Sequence, residues 1–223
     1  MKIIAIETST EYCSVALWQD GKVTDRSEQA GQRHSVMLIP MLDGLLNDAG
    51  LKLSDMDGIA FGAGPGSFTG VRIACSAAQG LALGAGKPVI GVCTLQALAE
   101  ASGRDRVIAV LDARMAEVYH AIYEKRDGKW AAVCEPSLCL PQDAPAVAGA
   151  GWFGTGSGFI AHGDQLNARY GGHLAGVDDQ AVPQAAAIAR IAAPLFAAGL
   201  GVDAAEAMPF YLRDKVALKT SER

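Results

Sequence analysis

The chain has 223 residues, half of them hydrophobic and 19% charged, with a formal net charge of −5. That length and composition suit one large domain or two small lobes around a real core, with no stretch that reads as disordered. No apolar run is long enough to span a bilayer, no Lys/Arg stripe offers the clustered cations that unaided nucleic-acid binding needs, and the five scattered cysteines contain no C-x-x-C pair, so neither a disulfide framework nor a zinc site is indicated. The expectation is a protein of the reducing cytoplasm that meets nucleic acid only through a basic partner.

The first residues meet an acid at Glu7, too early for a signal peptide, and read as a buried strand. Ile3 to Leu17 is strand, polar turn (Glu7-Thr8-Ser9-Thr10-Glu11) and return strand, closed by the hairpin signal Asp20-Gly21. A helix is predicted from about Ser35 to Asp48, with Leu38, Met41, Leu42, Leu45 and Leu46 at helical spacing and Gly50 as its C-cap. Val36, Met37 and Ile39 lie outside that stripe, as part of a wide core face or as a second apolar face for a partner. Gly58 to Phe61 is a short buried strand that runs into the glycine-rich segment Gly62 to Gly70.

A helix of small residues follows, from about Val71 to Leu83; Gly80 inside it costs about 1 kcal/mol relative to Ala, which close packing is expected to offset. Pro88 to Val92 is a strand and Thr94 to Ala101 a helix. The pattern then restarts: Arg106 to Asp112 is a strand, Val118 to Tyr123 its return, and Asp127-Gly128-Lys129 repeats Asp20-Gly21-Lys22. The matching order of parts predicts an internal duplication. The Pro/Gly/Ala-rich stretch from Pro136 to Gly176 gives little pattern. Ala185 to Ala198 is an Ala-rich helix, and the aromatic tail Pro209 to Arg213 is expected to dock, with polar last residues that fray.

The most specific chemical signal is the loop between a buried strand and a helix N-terminus, with Gly64, Gly66, Ser67 and Thr69 in it. Glycines let the backbone approach closely, and the free N–H groups and dipole of a helix start attract anions. Such a loop faces a phosphate or carboxylate, or else is a tight turn that lets a small-faced helix dock. The Glu7-Thr8-Ser9 turn is open to the same two readings. Walker, nucleophile-elbow and dinucleotide motifs are absent on inspection. The four histidines show no metal spacing; His34 reads as a surface or capping residue, and Asp112 with Arg114 as an ion pair within one turn or a contact between lobes.

Ile6-Glu7-Thr8-Ser9, Arg33-His34-Ser35, Gly64 to Arg72 (Gly-Pro-Gly-Ser-Phe-Thr-Gly-Val-Arg), Asp112-Ala113-Arg114 and Tyr211-Leu212-Arg213 together resemble the TsaB (YeaZ) family over nearly the whole chain. The resemblance implies a duplicated actin-like (ASKHA, ribonuclease H-like) α/β fold in two lobes, here residues 1–104 and a smaller, diverged 105–223. It implies a part in forming N6-threonylcarbamoyladenosine at position 37 of ANN-decoding tRNAs. In that pathway a separate enzyme makes the adenylate, the metal-dependent paralogue TsaD transfers the group, TsaB binds TsaD, and the ATPase TsaE joins them.

The expected role is therefore a non-catalytic subunit with no cofactor, paired with TsaD or with itself and reaching tRNA only indirectly. The family implies dimerisation through first-lobe helices, which makes His34, Val36, Met37, Ile39, Arg72, Ala74 and Ala77 the expected interface. Where TsaD carries a His-x-Glu-Gly-His metal motif, this chain has Thr94-Leu95-Gln96-Ala97-Leu98, so no bound metal is expected. Glu7 replaces the aspartate usual at the phosphate turn of this fold. The alternatives are an autonomous M22-type glycopeptidase, which needs a metal or a Ser/Cys–His pair, and a small ATP-binding kinase-like protein.

Overall fold

The structure, a computed structural model, describes residues 1–213. Its first sheet contains β1 (Lys2–Glu7), β2 (Tyr12–Gln19), β3 (Lys22–Gln29), β4 (Gly58–Gly64) and β5 (Val89–Cys93) in the order β3-β2-β1-β4-β5. The second contains β6 (Arg106–Asp112), β7 (Val118–Arg126), β8 (Lys129–Cys139), β9 (Trp152–Thr155) and β10 (Leu174–Asp178) in the order β8-β7-β6-β9-β10. The order is the same in both. So are the senses: an antiparallel meander of three strands, then a parallel strand on the first and a second parallel strand beyond it. The duplication seen in the two Asp-Gly-Lys hairpins thus runs through the whole topology, and the chain has the two-lobed actin-like α/β fold.

Helices α1 (His34–Asp48) and α2 (Phe68–Ala85) cover one face of the first sheet. Alternation on the central strands decides what goes where. Ile4, Ile6, Cys13, Val15, Ile59 and Phe61 point to α1 and α2, whereas Ile3, Ala5, Ala16 and Ala60 point the other way. The second sheet behaves alike: Ile108, Val110 and Ile122 face α4 (Gly158–Ala161) and α5 (Gly163–Tyr170), and Val107, Ala109 and Ala121 face inward.

Between the sheets lie α3 (Thr94–Ala101) and α6 (Ala185–Ala197), packed on each other and exchanged between the halves. Leu95, Leu98 and Ala99 of α3 join the core of the second sheet, and Ala185, Ile188, Ala189 and Ala192 of α6 join that of the first. The alanines of α6 let its backbone lie close to the sheet. Residues 185–197 are therefore spatially part of the first half although they follow residue 104. Each fully buried Ile or Leu in these layers contributes about 1.5–3 kcal/mol.

The predicted elements hold to within a few residues, with three differences. Strands β3 and β8 are edge strands whose mixed, largely unburied side chains give no hydrophobic period. Residues 136–176 are not irregular: they hold the end of β8, β9, α4, α5 and β10, each short and set off by glycines. Finally, no close packing surrounds Gly80. It is exposed, and a Cβ built there meets nothing within 4 Å.

Candidate functional site

The C-terminal ends of β1, β4, β6 and β9 converge on one crevice, the place where ligands of α/β folds usually sit. The cleft holds about 1080 Å³ and is walled by turns of both lobes and by the tail. Of the residues expected to face an anion, Ser9, Gly66, Ser67 and Thr69 line it; Glu7, Thr8 and Gly64 do not.

The first-lobe loops are bound to each other. Ser67 N–H donates to the Ser9 carbonyl (2.8 Å) and Thr8 Oγ1 donates to the Gly70 carbonyl (2.7 Å). A Cβ on Gly70 would sit 2.0 Å from the Thr8 carbonyl oxygen, and one on Gly66 2.7 Å from that of Ser9. These glycines exist for close approach. Ser67 caps α2, accepting from Gly70 N–H at 3.4 Å.

The Glu7 carboxylate turns inward. One oxygen accepts from Ser9 N–H, the other has no partner, and a Cβ on Gly62 would overlap it. Burial pushes its carboxyl up to about 7, and hydrogen bonds from Ser9 and Thr8 only partly oppose this. A magnesium-nucleotide site needs an acid facing the cleft and free N–H groups beside it. Glu7 points away and Ser67 N–H is spent on Ser9, so these residues fit such a group poorly.

In the second lobe the β6–β7 turn faces the cleft with Asp112 and Arg114 paired at 3.4 Å, the within-turn reading of that pair. His162 Nε2 lies 3.5 Å from the Asp112 carboxylate, and Ser157 Oγ accepts from Asp112 N–H at 3.2 Å. Arg114, Met115 and Ala116 all have positive φ, between 55° and 62°. Left-handed backbone costs about 1–2 kcal/mol for each such residue, so the turn must be held by its surroundings. Sequence reading missed that Gly154-Thr155-Gly156-Ser157 occupies the place of Gly64-Pro65-Gly66-Ser67 in the duplicate, following β9 as the other follows β4. The signal was legible once the two halves are aligned.

The expected interface residues divide. Val36 (68% exposed), Ile39 (48%) and Arg72 lie on the surface. Met37 and Ala77 are half-buried against the core, and Ala74 is fully buried. His34 is buried too, which corrects its surface reading: its Nε2 lies 2.8 Å from the Thr10 carbonyl, so it pins the β1–β2 turn from the start of α1. Ala74 and His34 are inside because the two helices must seat on the sheet. Arg72 reaches the tail, donating from Nε to the Tyr211 hydroxyl at 2.7 Å with its guanidinium 3.6 Å from the Phe68 ring centroid.

Residues 26–151 match the family model described as TsaD, tRNA N6-adenosine threonylcarbamoyltransferase. The Escherichia coli K12 protein named tRNA threonylcarbamoyladenosine biosynthesis protein TsaB is 40% identical, over 98% of this chain and 97% of its own. The chain belongs to the TsaB family. The Haemophilus influenzae protein of the same name is 35% identical over 98% of this chain and 96% of its own. YeaZ from Pseudomonas aeruginosa, a solved structure, superposes with a TM-score of 0.85 at 37% identity, covering 95% of this chain and 99% of that one. A second Pseudomonas structure, titled an uncharacterized protein with similarity to peptidase YeaZ, gives 0.86 at the same identity and coverage.

TsaB proteins take part in tRNA threonylcarbamoyladenosine biosynthesis. The stretch of this TsaB-family chain that matches the TsaD model includes Thr94 and Leu98, the positions expected to carry imidazoles in the paralogue. Both are fully buried, and Thr94 Oγ1 donates to the Pro65 carbonyl, bracing the glycine loop. Among the described residues no group of three or more His, Cys, Asp or Glu is placed to hold a metal ion, and no helix is long and apolar enough to cross a membrane.

Proposed function

We propose that this TsaB-family chain is a non-catalytic subunit that binds and activates a TsaD-type transferase through the outer face of α1 and α2. The observation that carries this reading is the character of that face. Val36 and Ile39 stand out on α1 and Leu83 (79% exposed) on α2, and there Gly80 and Gly84 leave open space where a side chain would be. Glycine inside a helix is a standing cost of about 1 kcal/mol. Nothing within the chain uses that space, whereas a partner helix needing close approach would.

The paralogue is the partner of first choice, with TsaE joining through the complex. A second copy of this chain takes the same face when the protein is alone, and tRNA is met only indirectly. The inward Glu7 and the Ser67 N–H bonded to Ser9 support a role without nucleotide chemistry in the cleft. Among the described residues no serine or cysteine side chain is hydrogen-bonded to a histidine imidazole, and the peptidase reading loses support accordingly.

The test is threonylcarbamoyl transfer to tRNA in a reconstituted mixture, with and without this chain, and with Val36→Asp plus Ile39→Asp. The reading requires that transfer depend on the chain and that the double variant lower TsaD affinity at least about a hundredfold, as expected for charges forced into an apolar contact. Equal transfer without the chain refutes it, and turns attention to ATP binding or peptidase activity by the protein alone.

A further inference from the structure

Beyond the partner face, the chain carries a second device, which does not depend on that reading. After α6 the polypeptide crosses back under α2, where the Ala207 carbonyl accepts from Gln79 Nε2 at 2.9 Å. It then enters the cleft. Phe210 N–H donates to the Ala63 carbonyl at the end of β4 (2.7 Å), and Tyr211 takes the bond from Arg72.

These are first-lobe contacts. Two residues later Arg213 reaches the second lobe: Nη2 donates to the Ala113 carbonyl (3.0 Å) and to the Glu117 carboxylate (2.7 Å), and Nη1 touches Met115 Sδ at 2.9 Å. Ala113 and Glu117 bracket the three left-handed residues of the β6–β7 turn. The tail therefore closes over the strained turn from outside and ties it to the opposite lobe.

Two further observations indicate that the tail is seated, not merely adjacent. A Cβ on Gly64 would lie 2.7 Å from the Phe210 carbonyl oxygen. That glycine, expected to face an anion, instead makes room for the tail. Phe210 also lines both the cleft and a smaller pocket of about 390 Å³ behind it, where Cys93, Tyr123 and Trp130 lie. Phe210 is the one residue common to the two cavities.

We propose that residues 207–213 are a strap that fixes the angle between the lobes, and that its release opens the cleft into the pocket behind it. A segment that bonds to both lobes resists any change in their separation. The left-handed turn is held from within by Ala113 N–H to the Glu117 carbonyl and Glu117 N–H to the Arg114 carbonyl, both 3.0 Å, and Arg213 is the contact that ties it to the tail, so losing the Arg213 end loosens the turn and lets the strap lift. The local opening is a fast pre-equilibrium of the intact fold, and it exposes groups in proportion to its population.

Cys93 is a native reporter of that opening. Its Sγ lies 3.7 Å from the Tyr123 hydroxyl in the pocket that Phe210 lines, and the residue is half-buried, whereas Cys134 packs on the far side of the second sheet. The experiment is alkylation of the full chain by N-ethylmaleimide, with the rate at each cysteine read by peptide mass spectrometry. Arg213→Met is expected to raise the Cys93 rate about tenfold relative to Cys134. Glu117→Gln, which leaves Arg213 its carbonyl bond, gives an intermediate rate and serves if the first variant does not fold.

Amide exchange supplies the second measurement. Tyr211→Phe touches only the first lobe, yet it must speed exchange at residues 113–117 in the second. The strap is refuted if the Cys93 rate is unchanged, if Cys134 rises with it as in general loosening, or if the exchange change stays within the first lobe.

Discussion

Two buried titratable groups act on stability in opposite senses, and the opposition can be unmasked. Burial pushes the Glu7 carboxyl from an ordinary 4.5 up to about 7, so the folded state holds its proton where the unfolded state has lost it. Its favourable contribution is complete below pH 4.5 and is lost as pH rises through about 7, a loss of about 3 kcal/mol. His120 is fully buried, with Nε2 2.9 Å from the Tyr170 hydroxyl, and burial lowers it from 6.5 to about 4, helped by the charge of Arg169.

Tyr170 gives its own proton to the Pro145 carbonyl (2.7 Å), so Nε2 of His120 is the N–H donor, and burial keeps the ring neutral above about pH 4. Its contribution is complete above pH 6.5 and is lost, again by about 3 kcal/mol, as pH falls through about 4. Summed, the two slopes nearly cancel in the native chain where they overlap, between pH 4.5 and 6.5. Glu7→Gln keeps the acceptor for Ser9 N–H but removes the titration.

The readout is the difference in unfolding free energy between Glu7→Gln and the native chain, from urea denaturation at steps between pH 4.5 and 8. Every other titrating group is common to both and drops out. The difference must shift in favour of the variant by about 3 kcal/mol between pH 4.5 and 7. A constant offset is allowed, because the new amide N–H₂ replaces an unpaired oxygen. A difference curve that is flat in pH would refute the reasoning, since Glu7 would then ionise alike in the folded and unfolded states.

Two glycine variants separate packing within the chain from packing against a partner. Gly70→Ala places a methyl 2.0 Å from the Thr8 carbonyl oxygen, so thermal unfolding should show a loss of about 1–3 kcal/mol; an unchanged Tm means that the two loops are not in contact in solution. Gly80→Ala has open space and helical backbone, so it should stabilise the isolated chain by about 1 kcal/mol while weakening association with TsaD in sedimentation. Stabilisation with undiminished association removes the argument for a close helix contact there.

The duplicated scaffold was legible because its parts are local: paired Asp-Gly turns, both adopting positive φ at Asp20-Gly21 and Asp127-Gly128, and strands with clean apolar runs. What escaped depends on distant partners. His34 looks like a surface cation beside Arg33, and only the fold shows that the Thr10 carbonyl waits beneath it. Gly64 looks like its neighbours in the loop, yet it serves the Phe210 carbonyl, 146 residues on in the chain. The exchange of α3 and α6 has no local signature at all, since each helix is amphipathic whichever sheet it covers. Edge strands β3 and β8 were silent because half their side chains face solvent.

The two halves keep one topology but have diverged where the cleft would do chemistry. In the first lobe the acid is turned under Gly62 and the loop N–H of Ser67 is bonded to Ser9, so the turn is closed by its own neighbours. In the second lobe Asp112 faces the cleft but is answered by Arg114 of the same turn, and the backbone beyond it is held by Arg213 of the tail. The Ser67 N–H and the Asp112 carboxylate are thus engaged inside the chain, one on each side of the cleft. The outer face of α1 and α2 is the converse: Val36, Ile39 and Leu83 are uncovered, and the glycine at 80 costs stability with no return inside the fold. Where a protein leaves apolar surface and helix space unused by itself while bonding the loops of its cleft to one another, a partner surface is the economical explanation, and that is the asymmetry on which the proposed subunit role rests.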